Sequence, residues 1–189
     1  FKTLEQMKVP IEWLDLTEYS IPLCDGNLAY ENFQVKELRN KIHRAAGILL
    51  AVPIYNYYAN AVAKNLIELT GDAWSNKVVG FLCAAGGKGS YMSVMSLANS
   101  LMLDFRCLII PRFVYSTGEA FEDGKVSDPE VEDRINELAK ELNQQKAYCQ
   151  NPNTEQGEVI TAPCHEYLLQ WTMRASVNRW VGLGSVPIR

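Results

Sequence analysis

Two stretches of this chain carry residue types and spacing suited to holding a flat ligand against the main chain. The first is Pro53-Ile54-Tyr55-Asn56-Tyr57, which follows the apolar run Gly47-Ile48-Leu49-Leu50-Ala51 and leads into Ala61-Val62-Ala63-Lys64-Asn65. Here Pro53 ends the run, Asn56 tolerates unusual backbone angles and offers an amide, and Tyr55 and Tyr57 add aromatic surface. The second is Ala84-Ala85-Gly86-Gly87, continued by Lys88-Gly89-Ser90, after the run Lys77 to Cys83. Residues without bulk let a ligand approach the backbone, and glycine accepts positive φ angles. A Gly-rich turn from strand to helix also presents N–H groups to an anion. Taken singly, each stretch is as readily a plain surface turn. As a pair, each following a buried strand, they suit the carboxyl-end edge of a parallel sheet, where ligands collect.

The elements that would position them are legible. Ile11 to Leu16 alternates as a strand does. Val35, Leu38, Ile42 and Ala46 step by three and four, marking a helix face that Gly47 is placed to stop. Ile48 to Val52 is a continuous apolar run, as in a strand buried on both faces. Val62, Leu66 and Leu69 give the next helix, stopped by Gly71. Val78 to Cys83 and Cys107 to Ile110 are further buried strands, with Pro111 ending the second. Between them Tyr91 to Leu103 is helical. Asp128-Pro129-Glu130 opens the last helix, with an Asp cap, Pro at the first turn and acidic residues at the positive end of the dipole. Its stripe is Val131, Ile135, Leu138 and Leu142. Strands alternating with helices predict an α/β, three-layer, doubly wound parallel sheet. The predicted domain is 1–146; 147–189 reads as an irregular C-terminal extension that packs on a neighbour or wraps the domain, with a short strand at Val159-Ile160-Thr161.

The totals narrow the function. Over 189 residues the net charge is −4, which gives no basic stripe for nucleic acid and no cationic face for a membrane surface. No apolar run approaches the ~20 residues that span a bilayer, and the first residues do not resemble a secretion signal. Five cysteines without CxxC spacing favour a reducing, cytoplasmic compartment. Two distant histidines give no metal-site spacing. Asp15, His43 and Cys83 lack evident partners for chemistry and read as structural. So do Lys64 and Asn65, as cap and contact residues, and Lys88 and Arg112, which are more readily solvated than phosphate ligands.

From about Val9 to Leu142 the chain resembles the NADPH-dependent FMN reductase family, whose fold is flavodoxin-like. The family's strand, Pro-x-Tyr-Asn, loop and Lys-Asn stand here at Pro53 to Asn56 and Lys64-Asn65. Its Ala-Ala-Gly-Gly-x-Gly stands at Ala84 to Gly89, and Leu14-Asp15-Leu16 with Ile21-Pro22-Leu23 is typical of its second strand. Two departures matter. Tyr57-Tyr58-Ala59-Asn60-Ala61 replaces the family's Gly-Ser-x-Pro-Gly. Phe1 to Lys8 reads as the end of the first helix, so the first strand and its phosphate-binding Gly-Ser-x-Arg-x-x-Ser-x-Asn loop are expected to be missing. A shortened chain explains that most simply. A circular permutation would place them near Tyr167 to Trp171 with Arg174, Ser176 and Asn178.

The resemblance implies an oxidoreductase with FMN as cofactor and NADPH or NADH as co-substrate. Pro53, Ile54, Tyr55, Asn56, Tyr57, Ala84, Ala85, Gly86 and Gly87 would hold the flavin ring. No catalytic acid, base or nucleophile is required, because the cofactor carries the hydride chemistry and the protein aligns the partners. The second substrate would be a small-molecule electron acceptor: a flavin, a quinone or a similar compound. The family pairs through the region near Asn60 to Lys64, so a homodimer or homotetramer is expected. The rival reading is a non-enzymatic flavodoxin-like interaction protein that cannot hold FMN.

Overall fold

The computed structural model describes residues 2–145 and the strand at 158–162. Helix α1 (Lys2–Gln6) leads to strand β1 (Ile11–Trp13), helix α2 (Phe33–Arg44) and strand β2 (Ala45–Tyr55). A two-residue strand β3 (Tyr58–Ala59) and helix α3 (Ala61–Thr70) follow, then β4 (Val78–Ala85), a 3-10 segment (Lys88–Val94) and α4 (Met95–Phe105). Two short strands, β5 (Leu108–Ile109) and β6 (Val114–Thr117), precede a small hairpin of β7 (Phe121–Glu122) and β8 (Lys125–Val126). Helix α5 (Pro129–Gln145) and strand β9 (Glu158–Ala162) complete the order.

The sheet runs β1-β9-β2-β4-β5, with β6 also on β4 and all these pairs parallel; β3 alone is antiparallel, on β2. Period-two alternation divides the core. Ile48, Leu50, Val52 and Ile54 of β2 join Val79, Phe81, Cys83 and Ala85 of β4 against α2, α3 and α4. Leu49, Val78 and the neighbouring Leu82 face the other way, with Leu4, Val131, Leu138 and Leu142 of α1 and α5. The result is the expected three-layer arrangement.

Local chemistry explains the helix ends. The Asn32 side chain accepts from the N–H groups of Gln34 and Val35, capping α2. Asp128 does the same for α5 by accepting from Glu130 N–H at 2.9 Å. At the other end of α2, the buried Lys77 ammonium donates to the His43 carbonyl at 2.7 Å, where a cation suits the helix dipole. Gly71 ends α3 with φ of 43°.

Three expectations need correction. Helix α2 ends at Arg44, so Gly47 is not its stop; it lies in β2, where an added Cβ would sit 3.2 Å from Leu142 Cγ. Pro53 does not end β2, which continues to Tyr55. A residue's N and C=O leave a strand on the same side, and the Pro53 carbonyl accepts from Asn60 N–H at 3.1 Å. Its nitrogen therefore faces the same side, toward Asn60, whose carbonyl is taken instead by the Lys64 N–H at 3.5 Å as α3 begins, so the proline sits where the short β2/β3 ladder is already ending. The third buried strand is interrupted rather than ended at Pro111: Arg112 takes φ of 60°, and pairing with β4 resumes in β6. Strand β9 lies between β1 and β2. The strand expected at Val159-Ile160-Thr161 thus belongs to the same sheet as the strands of 1–146. The permuted segment considered at Tyr167 to Asn178 lies outside the described residues.

Candidate functional site

The two candidate stretches stand side by side at one edge of the sheet. In the β2/β4 register Pro53 pairs with Ala84 and Ile54 with Ala85, so both strands reach that edge together. Pro53, Ile54, Ala84 and Ala85 are buried, whereas Tyr55, Asn56, Tyr57, Gly86 and Gly87 are exposed. The buried four form a floor of modest bulk, and the exposed five rise from it.

The first stretch is a hairpin, not the open loop expected. Tyr55 pairs with Tyr58, leaving Asn56 and Tyr57 as a two-residue turn with φ of 50° and 62°. Positive φ at both positions is what a type I′ hairpin requires. Asn accepts this conformation; a tyrosine held there is strained by about 1–2 kcal/mol. After β3, Asn60 is the N-cap of α3, its side chain accepting from Ala63 N–H at 3.2 Å. The expected cap residues do other work. Asn65 accepts from Cys24 N–H at 2.8 Å and donates to the Pro22 carbonyl at 2.9 Å, tying the 22–24 loop to α3. Lys64 pairs with Glu68 one turn on.

The Gly-rich stretch is pinned by a residue that the sequence reading passed over. Tyr115, on β6, donates its hydroxyl proton to the Gly87 carbonyl and receives a bond from the Ser90 hydroxyl at 2.6 Å. Tyr91 stacks on Phe113 at 4.6 Å and meets Tyr115 edge-on at 5.5 Å. Ser116 ties the same strand to the Cys83 carbonyl at 3.2 Å. The available signal was the run Val114-Tyr115-Ser116-Thr117, which has strand composition. Its contact with residue 87 is visible only in three dimensions.

The site's electrostatics are mild. Lys88 lies 3.9 Å from Glu119 with both side chains exposed, a geometry that contributes little. Cys83 is no nucleophile: burial pushes its thiol up to about 12. What the edge offers is backbone, small side chains and aromatic surface. That set suits a planar redox ring and does not suit acid–base chemistry.

Comparison with known proteins bears on family and fold. The sequence profile of the NADPH-dependent FMN reductases matches residues 1–122. An NAD(P)H-dependent FAD/FMN reductase from Geobacillus thermodenitrificans is 28% identical over 138 residues, covering 71% of this chain and 75% of its own. The flavoenzyme FerB from Paracoccus denitrificans, an NAD(P)H:(acceptor) oxidoreductase, superposes with a TM-score of 0.57 at 17% identity, over 70% of this chain and 78% of its own. An oxidoreductase from Corynebacterium diphtheriae gives 0.53 at 18% identity, over 62% of this chain; the matched region spans 64% of that protein. These two structures share the fold.

The residues present fit the ring half of FMN. Among the described residues, chain neighbours apart, nothing lies within 4 Å of the point where a Cβ on Gly87 would sit, so the Gly-rich stretch is open there. The residues that follow β9 lie outside the described residues. With the profile matching well over half of its length, the chain belongs to the NADPH-dependent FMN reductase family and shares its cofactors, FMN and NAD(P)H.

Proposed function

We propose that this protein is an NAD(P)H-dependent reductase that uses FMN to pass hydride from nicotinamide to a flavin, a quinone or a similar small acceptor. The observation that carries the reading is the register of β2 and β4, which aligns the Pro53–Tyr57 turn with Ala84–Gly87 at one sheet edge. The main chain at 84–87 would bound the ring's pyrimidine side, and the 53–57 turn would bound the slot. FMN, when bound, supplies the two-electron chemistry. The protein's part is to seat the ring, hold the Gly-rich stretch still through Tyr115, and leave a face open for each substrate in turn.

Gly86→Val tests the pocket. A branched side chain there crowds the ring without entering the core, because Gly86 is exposed. FMN affinity, followed by quenching of flavin fluorescence, is expected to fall at least about tenfold, or ~1.4 kcal/mol, with circular dichroism unchanged. An unaltered titration would remove the pocket from this edge. A parent protein that stays colourless and ignores added FMN would favour the interaction-protein reading.

We further propose a cytoplasmic homodimer or homotetramer. Cys83 is a buried free thiol, in keeping with a reducing compartment. Among the described residues no helix is long and apolar enough to cross a membrane. Tyr57, Tyr58, Val62 and Met92 are exposed around the same edge and α3, an apolar grouping of the kind that marks contact surfaces. A symmetric pair would cover both copies with one patch. Light scattering is expected to give a discrete dimer or tetramer, and a clean monomer at micromolar concentration would refute the assembly.

A further inference from the structure

Tyr57 occupies a turn position that glycine fills without strain, with φ of 62°. Tyr57 is 73% exposed, so burial does not explain why an aromatic stands there. The ring nevertheless has a definite seat. Its hydroxyl and Cε1 lie 3.6 and 3.9 Å from the point where a Cβ on Gly89 would be, and among the described residues, chain neighbours apart, no other atom is so close to that point. The backbone does not require glycine at Gly89, because its φ lies outside the positive range. Bulk at the strained turn therefore faces an absence of bulk on the Gly-rich side, and the phenol reaches from one stretch to the other. Tyr58 and Tyr91 add partly exposed rings beside it.

We propose that Tyr57 is a specificity-determining residue: its ring bars the gap between the β2–β3 turn and the Gly-rich stretch, admitting thin planar acceptors and rejecting thick ones. This rests on the reductase reading above. The acceptor class it selects is an unencumbered aromatic or quinonoid ring, able to slide past the phenol face. A ring carrying branched substituents out of its plane meets the phenol instead.

The test compares parent, Tyr57→Gly and Tyr57→Phe proteins loaded with FMN, using 1,4-benzoquinone and its 2,6-di-tert-butyl derivative. Perturbation of the oxidised flavin spectrum, without NAD(P)H, gives a dissociation constant for each quinone; turnover gives kcat/KM. Tyr57→Gly is expected to shift the bulky-to-small ratio of both quantities by about tenfold toward the bulky quinone, the scale of a hydrophobic steric filter. Its Tm should also rise, because Asn-Gly relieves the strained turn. Tyr57→Phe keeps the ring and should keep the parent ratio. If FMN binds and NAD(P)H reduces it but the ratio is the same in Tyr57→Gly, the bar is refuted and the reductase reading stands. If FMN does not bind, both fall.

Discussion

Gly80→Val is expected to shift the urea unfolding midpoint sharply downward, or to prevent the chain from accumulating in folded form. Gly80 lies mid-strand in β4, paired with Leu49 of β2. An added Cβ there would stand 3.0 Å from Leu138 Cδ1 and 3.0 Å from Leu49 Cδ2, with Leu138 Cγ at 3.3 Å. Both leucines are buried between the sheet and α5. Valine would add two further methyls to that contact, forcing α5 off the sheet. Overpacking of this kind destabilises by about 1–3 kcal/mol, and more where neither side yields; the upper end is expected here. Gly80→Ala should fall in between, because leucine methyls can rotate away from one carbon. Leu138→Ala in the Gly80→Val background should recover part of the loss, and a parent-like midpoint for Gly80→Val alone would contradict the packing described.

The second large effect is expected from Ile160→Pro. Strand β9 is paired on both sides, Ile160 lying opposite Glu12 of β1 and Ile48 of β2. Every N–H of a doubly flanked strand has a ladder position, so proline removes a donor whichever way it faces and intrudes on a neighbour. A loss of about 3 kcal/mol or more is expected. The damage should be uneven. Among the described residues strand β1 joins the sheet only through β9, so amide exchange of 11–13 should accelerate far more than that of β4. Exchange at 11–13 as slow as in the parent would mean that β9 does not hold β1 in place.

Much of the frame was legible because its residues obey short-range rules. The apolar runs at 48–52 and 78–83 became β2 and β4, and the stripe Val131, Leu138 and Leu142 became the buried face of α5. The misreadings share a cause: they turn on what lies across from a residue. Pro53 does not end β2, because the carbonyl its nitrogen faces, that of Asn60, is already engaged by the start of α3. Gly47 looked like a helix stop but is a recess for Leu142. Asn-Tyr is not a customary hairpin pair, so the Asn56-Tyr57 turn gave no signal. Tyr115 could not be linked to Gly87 by spacing. For the site, the residue types of both stretches were readable; their alignment at one edge followed only from the β2/β4 register.

The position of β9 has a consequence for biosynthesis. It is the last of the described strands along the chain, yet it lies inside the sheet between two that precede it. As the polypeptide leaves the ribosome, the β9-facing edges of β1 and β2 remain open until residues 158–162 have emerged. Open parallel edges are templates for foreign strands, and pairings between distant segments form slowly. The vulnerable period is therefore the interval between emergence of β2 and arrival of β9, and it lengthens wherever translation pauses between them. Chaperone capture should concentrate in that interval and end when the late strand closes the gap.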